Sequence, residues 1–211
     1  MKTVLPLFIA CLLIASTAQA QLGVKGGLNA SVLDGEQISQ TTKPVYSYHA
    51  GVYYTANVAG PLSIRPELLY SLQGSNFKSA KEDFKTSLSY LNLPVLLDVK
   101  ISFLHLLAGP QFGVLLQARQ SGTVFSGYNA MSGAEEFINV SRQVTDQYKR
   151  NDFGLCVGTE LEIGSSFRLG GRFNAGLTDI ANYQDVRNAN DPRLRNRVFQ
   201  VYAALQLDNN R

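Results

Sequence analysis

The chain has 211 residues, a formal net charge of +3 at pH 7 and two cysteines, Cys11 and Cys156. The length suits one domain of about eight long strands, and no Pro/Gly/Ser linker divides it. The small charge and the scattered Lys and Arg residues do not indicate a nucleic-acid footprint. Removal of a signal segment carrying Cys11 leaves Cys156 alone, which excludes a disulfide framework or a paired-cysteine metal site.

Residues 1–20 read as a secretory signal peptide. Lys2 supplies the positive start, Val4 to Ala15 the apolar stretch, and Ala18-Gln19-Ala20 a small-x-small cleavage site. The apolar stretch is too short to span a bilayer as a helix. Cys11 follows Phe8-Ile9-Ala10 too early for a lipoprotein cleavage site. The mature domain, 21–211, is expected to start at Gln21. No later apolar run is long enough for a membrane helix, so any insertion must be by strands.

Alternating segments follow, each with one apolar and one polar phase. Leu22 to Ala30 sets Leu22, Val24 and Leu28 against Lys25 and Asn29. Tyr46 to Val58 sets Tyr46, Tyr48, Val52 and Tyr54 against Ser47, His49, Gly51 and Thr55. The third segment sets Leu62, Ile64, Leu68 and Tyr70 against Ser63, Arg65, Glu67 and Gln73. The fourth sets Leu91, Leu93, Val95 and Leu97 against Tyr90, Asn92, Asp98 and Lys100. In the fifth, Leu104, Leu106, Phe112 and Leu116 oppose His105, Gln111 and Gln117. The sixth and seventh set Phe153, Leu155, Val157 and Leu161 against Cys156, Glu160 and Glu162, then Phe167, Leu169 and Phe173 against Arg168, Arg172 and Asn174. The last sets Phe199, Val201 and Leu205 against Gln200, Tyr202 and Gln206.

No charge falls on any apolar phase, where Lys or Arg facing hydrocarbon would cost about 2–4 kcal/mol near the midplane. Outward aromatics near strand ends, including Tyr46, Tyr48, Tyr70, Phe153, Phe167 and Phe199, suit membrane–water interfaces. Pro66, Pro94 and Pro110 fall inside strands and remove ladder donors, which calls for bulges or register breaks there.

The connections alternate between long and tight. Val32 to Val45, Gly74 to Asp83, Gln120 to Tyr148 and Asp179 to Asn196 are long; Ala59-Gly60-Pro61, the step at Ile101-Ser102 and Gly164-Ser165-Ser166 are tight. In an up-and-down antiparallel sheet all long connections then share one rim. The fold class read from this pattern is all-β: an eight-stranded antiparallel up-and-down transmembrane β-barrel behind a signal peptide, in the outer membrane of a Gram-negative cell.

A barrel of about eight strands has an interior just wide enough for side chains to fill. Lys25, Arg65, Glu67, Glu160, Glu162, Arg168 and Arg172 are therefore expected to form a structural ion-pair network in the lumen, because an isolated buried charge is costly. Glu160 and Glu162 are expected to face Arg168 and Arg172 across the hairpin at Gly164-Ser165-Ser166.

Several stretches resemble the PorT-like outer-membrane β-barrel family. They are Gly23-Val24-Lys25-Gly26-Gly27-Leu28-Asn29, Pro66-Glu67-Leu68-Leu69-Tyr70-Ser71, Tyr90-Leu91-Asn92-Leu93-Pro94 and Ala108-Gly109-Pro110-Gln111. Asp152-Phe153-Gly154-Leu155, Gly171-Arg172-Phe173-Asn174-Ala175-Gly176-Leu177-Thr178 and Arg197-Val198-Phe199-Gln200 continue the resemblance over essentially the whole mature chain. It implies an eight-stranded outer-membrane barrel, in a family most of whose members have no established biochemical activity. One departure is the polar end Asp208-Asn209-Asn210-Arg211 after Leu207, where such barrels commonly finish on an aromatic residue.

Candidate chemistry is sparse. Ser47 and His49 share a face two residues apart, but no acid is placed to orient the histidine, so a hydrogen-bonded lumen histidine is expected. His105 is expected at the turn rim. Asp34 with Glu36, and Glu135 with Glu136, read as solvated loop carboxylates, and Cys156 as a small packed lumen residue. No catalytic residue, cofactor or metal is expected, and the phosphate-loop, dinucleotide and zinc-hydrolase signatures are absent. The expected function is that of a non-enzymatic outer-membrane barrel with structural, adhesion or secretion-accessory roles. Its partners are outer-membrane lipid and, at the long loops, another protein. The alternatives are a soluble lipocalin-like ligand-binding barrel and a lipid-modifying barrel enzyme.

Overall fold

The computed structural model describes residues 21–35, 41–78, 82–128, 131–133, 135–182 and 193–207. The expected signal peptide, residues 1–20, as well as Glu36 and the polar C-terminus lie outside the described residues. The strands are β1 (Gln21–Gly35), β2 (Thr41–Ala59), β3 (Leu62–Lys78), β4 (Glu82–Ile101), β5 (Leu104–Tyr128), β6 (Glu135–Gln143), β7 (Asn151–Ile163), β8 (Phe167–Gly176) and β9 (Leu194–Leu207).

Eight of these strands close into an antiparallel barrel in the order β1-β2-β3-β4-β5-β7-β8-β9, and β9 returns to β1. β6 lies outside this ring. It pairs with β5 from Arg119↔Gln143 to Tyr128↔Glu135, above the stretch Leu104 to Val114 where β5 pairs with β7. Directly opposed residues share a face. Thus Val52, Val24, Leu205 and Phe167 form one outward row, while Lys25, Ala204 and Arg168 form an inward one.

The two faces have opposite chemistry. Leu28 is 63% exposed and Val157 59%, whereas Arg65 and Glu160 are 0% exposed. This polarity is the reverse of a soluble ligand-binding cup. Outward aromatics mark both rims: Tyr46, Tyr48 and Phe199 towards the long connections, Phe103 and Phe167 at the turns. Two turns rely on left-handed glycines, Gly60 at φ 53° and Gly164 at φ 68°, a conformation glycine adopts without steric cost. Ser102 adopts the same region, φ 59°, at the third turn.

Four features depart from the sequence-based expectations. The long connections are largely strand: β1 runs on to Gly35, β3 to Lys78 and β5 to Tyr128, and β6 occupies part of the expected loop Gln120 to Tyr148. Pro66, Pro94 and Pro110 cause no register shift; they stand opposite Val95, Gln111 and Leu155 within unshifted ladders. Only short unpaired steps occur beside them, between Tyr53↔Glu67 and Ala56↔Ile64, between Pro66↔Val95 and Leu69↔Asn92, and between Pro94↔Gln111 and Leu97↔Ala108. The shifts lie elsewhere, at Pro44/His49, Asn57/Ala59, Ser89/Tyr90 and Phe125/Gly127. The shift at Ser89/Tyr90 leaves Leu116 as the extra residue and puts Gln117 opposite Ser89, on the outer face and not in the lumen.

Candidate functional site

The lumen is filled in layers. In the central layer Lys25 Nζ donates to Glu67 Oε1 at 3.0 Å, and Arg172 Nη1 donates to Glu67 Oε2 at 2.7 Å. Glu160 is held by Arg65 at 2.6 Å and by the Tyr202 hydroxyl at 2.8 Å; Lys25 stands 3.9 Å and Arg168 3.8 Å from it. The Lys25 ammonium also sits 3.7 Å from the centre of the Tyr202 ring. Glycines make room for these rings. A Cβ at Gly23 would lie 2.2 Å from the Tyr53 ring, and one at Gly170 would lie 2.6 Å from that of Tyr202.

Towards the turn rim, Arg65 also binds Asp98. His105 lies between two carboxylates, with Nδ1 2.8 Å from Asp98 and Nε2 2.9 Å from Glu162. Glu162 in turn binds Lys100 at 2.7 Å. Towards the other rim an amide layer follows. Arg172 Nε and Asn174 Nδ2 donate to Gln200 Oε1 at 2.5 and 2.8 Å, and Gln200 Nε2 donates to Asn29 Oδ1 at 2.6 Å. Asn196 then bridges to Asp152 at 2.7 Å. An apolar cap closes this end, formed by Leu33, Phe77, Leu88, Leu115, Val144, Ile180 and Leu194 around Tyr90 and Tyr148.

All seven lumen candidates except Glu162 are buried. Arg65, Glu160, Lys25, Glu67, Arg172 and Arg168 form one connected group. Across the β7–β8 hairpin the expected pairing holds for Arg168 with Glu160, at 3.8 Å, and differs for Glu162 and Arg172. Glu162 and Arg168 are ladder partners, yet the Glu162 side chain turns to Lys100 and His105. Arg172 stands opposite Gly158 in the ladder, and its salt bridge crosses the barrel to Glu67 on β3. His105, expected at the turn rim, belongs to this group. The structure has it 3% exposed inside the network. Its inward phase was the available signal.

Charge within the lumen balances. Among the described residues the buried cations Lys25, Arg65, Arg168 and Arg172 are matched by the buried carboxylates Glu67, Asp98, Asp152 and Glu160. A pocket lined by Gln73, Gln111, Asp152, Asn174 and Asn196 has a volume of about 10 Å³, near the smallest space that admits a water molecule. Ser47 and His49 make separate contacts. The Ser47 hydroxyl donates to Leu72 O at 2.6 Å, while His49 Nδ1 meets Asn29 Oδ1 at 2.7 Å. Cys156 is a buried free thiol that donates to Gln111 Oε1 at 3.2 Å.

At the extracellular rim Asp34 meets Arg197 at 3.5 Å, and Asp179 binds Lys149 at 2.9 Å. Partial burial of Asp179 opposes its ionisation. The Lys149 ammonium and the backbone N–H groups of Leu194 and Ala181 outweigh this and hold its carboxyl below the usual range. Glu135 and Glu136 are exposed on β6.

Apolar faces around a closed, charge-filled interior define a transmembrane β-barrel of the outer-membrane class. The chain belongs to the outer membrane protein beta-barrel domain family, whose model matches residues 15–182, and it resides in the outer membrane. Its fold is similar to three solved barrels. The attachment invasion locus protein Ail of Yersinia pestis has 12% identity and TM-score 0.49, covering 90% of this chain and 99% of that one. Neisserial surface protein A also has 12% identity, with TM-score 0.47 and coverage of 89% and 99%. OprG of Pseudomonas aeruginosa has 11% identity, TM-score 0.44 and coverage of 90% and 97%. None of the curated proteins matches the chain.

Proposed function

We propose that the protein is a non-enzymatic barrel of PorT-like type, exported by removal of residues 1–20, with 21–211 as the mature barrel. It acts as a structural, adhesion or secretion-accessory protein through its extracellular ribbons. The lumen ion pairs are its internal brace: opposite charges bridge β1, β3, β4, β7 and β8 across the interior, so none of these five strands slips without leaving a charge unpaired. This packed interior supports a scaffold and not a pore.

The observation that carries the reading is the β5–β6 ribbon. Tyr128, Met131, Phe137 and Ile138 are exposed on it, beyond the reach of the bilayer core. From Leu116 to Tyr128 the strand advances roughly 40 Å at about 3.3 Å per residue. Large apolar side chains exposed to water on a rigid ribbon are the usual mark of a protein-binding surface. The separate partners of Ser47 and His49 support the non-enzymatic reading. The test replaces residues 122–140 by a short Gly-Ser turn and repeats a cross-linking pull-down on intact cells. A surface partner lost with the ribbon, while heat-modifiable migration persists, fits the proposal. Unchanged recovery of that partner, or a lipid-modifying activity that His49→Ala abolishes, contradicts it.

A further inference from the structure

Between the end of β6 and the start of β7 the wall is made by a short crossing segment and not by paired strands. Val144 N donates to Ala118 O at 2.9 Å, Ala118 N donates to Thr145 Oγ1 at 3.0 Å, and Leu115 N donates to Arg150 O at 2.7 Å. On its other side Lys149 N donates to Ile180 O at 2.8 Å and Asn182 N to Gln147 O at 2.9 Å. Val144, Thr145 and Tyr148 are buried beneath it, while Asp146, Lys149 and Arg150 are exposed. The result is an anchored outer cleft of about 880 Å³, with Gln143, Asp146, Lys149, Arg150 and Asn151 among its lining residues.

Arg119 stands next to this cleft, outside its lining. It is the ladder partner of Gln143, so its exposed side chain stands on the same face at the cleft's border. Two cations, Lys149 and Arg150, line the site with the carboxylate Asp146, and Asp179 stands beside it. Lys149 is bound to Asp179, whereas neither Arg119 nor Arg150 has an ion-pair partner among the described residues. The height of the cleft is also fixed. Asn151 pairs with Val114, and one step below it Phe153 pairs with Phe112 on the outward apolar face. Leu177 lies beside Phe153, its N–H donating to Phe153 O at 2.8 Å. The cleft thus opens just above the hydrocarbon edge, at headgroup level.

We propose that this cleft binds the phosphorylated saccharide headgroup of an outer-leaflet glycolipid. The volume falls within the usual range of about 300–1,000 Å³ for small-molecule sites. Guanidinium groups match phosphate bidentately, and basic pockets at headgroup level attract anionic lipids. The amides of Gln143 and Asn151 suit sugar hydroxyls, while the acyl chains continue down past Phe153 and Leu177. The proposal is independent of whether the ribbons recognise a protein.

The test places the full mature protein in nanodiscs of zwitterionic phospholipid doped with diphosphoryl lipid A or, separately, with phosphatidylglycerol. Native mass spectrometry then measures the lipid retained. The wild type should retain lipid A at least tenfold better than phosphatidylglycerol. Lys149→Gln/Arg150→Gln should lose that retention about tenfold, while Lys43→Gln/Arg193→Gln, with the same change in charge elsewhere on the extracellular side, should keep it. Heat-modifiable migration checks that each variant is folded, and added salt should release lipid A from the wild type. Equal loss in both double variants would overturn the proposal, as would equal retention of the two lipids by the wild type.

Discussion

Arg172→Ala removes one arm of the central layer while leaving Glu67 in place. The Arg172 side chain is 1% exposed and that of Glu67 0%, so solvent offers little screening. Breaking a buried pair from one side costs about 3–5 kcal/mol, because the remaining charge is left uncompensated. Here Lys25 still holds Glu67 at 3.0 Å, which places the expected loss near the lower end, about 3 kcal/mol. The loss of the bond from Arg172 to Gln200 belongs to the same figure. Reversible urea unfolding in lipid vesicles, with Arg172→Ala and Glu67→Gln alone and combined, gives the coupling between the two sites. The combined variant should recover part of the single loss, whereas Arg172→Ala with Glu160→Gln should recover less. A single loss below about 1 kcal/mol, the value for solvent-screened pairs, would refute the packed-lumen reasoning, as would stronger coupling to Glu160.

Other outcomes follow from the same geometry. Val157→Arg on the outward face should destabilise the folded barrel by up to about 2–4 kcal/mol, depending on depth, in the same unfolding assay. Gly27→Ala should cost about 1–3 kcal/mol by overpacking, since its Cβ would lie 2.0 Å from Val201 O, while Gly171→Ala, with its nearest neighbour at 3.8 Å, should be close to neutral. For Asp179 the folded carboxyl titrates below its unfolded value. Its stabilisation is thus present above the ordinary carboxylate range and is lost as pH falls through the folded value. Hydrogen-exchange protection of the Leu194 and Ala181 amides, relative to their intrinsic rates, should fall over that acidic window, and Asp179→Asn should remove that pH dependence.

Strand alternation carried most of the fold, because a period of two separates lipid-facing from lumen-facing residues wherever one face meets hydrocarbon. Where hydrocarbon ends, that constraint ends too. The extensions of β1, β3 and β5 beyond the bilayer therefore looked like polar loops, and β6 was hidden within one of them. The bulge at Leu116 reversed the phase after it, so Gln117 was read as inward. The prolines misled in the opposite direction, since the ladders absorb them through short unpaired steps without a shift. The identities of the buried charges were legible from phase alone, and the Arg168–Glu160 pair from the hairpin, but the partners across the lumen were not. Arg172 reaches across the lumen to Glu67, on a strand 105 residues earlier, and no hairpin neighbour predicts that contact. The apolar cap drew isolated residues such as Val144, Ile180 and Leu194 from stretches read as polar connections.

The central claim is an apolar wall facing lipid around a packed, charge-filled lumen, and β9 tests it most directly. In a Cys156→Ala background, single cysteines at successive positions from Val198 to Leu207 would carry a fluorophore, with the protein reconstituted in vesicles. Lipid-soluble and water-soluble quenchers are then compared at each position. The account predicts lipid quenching at Phe199, Val201, Leu205 and Leu207, and protection from both quenchers at Gln200, Tyr202, Ala204 and Gln206. Loss of that two-residue period, or aqueous quenching along the even positions, would contradict it.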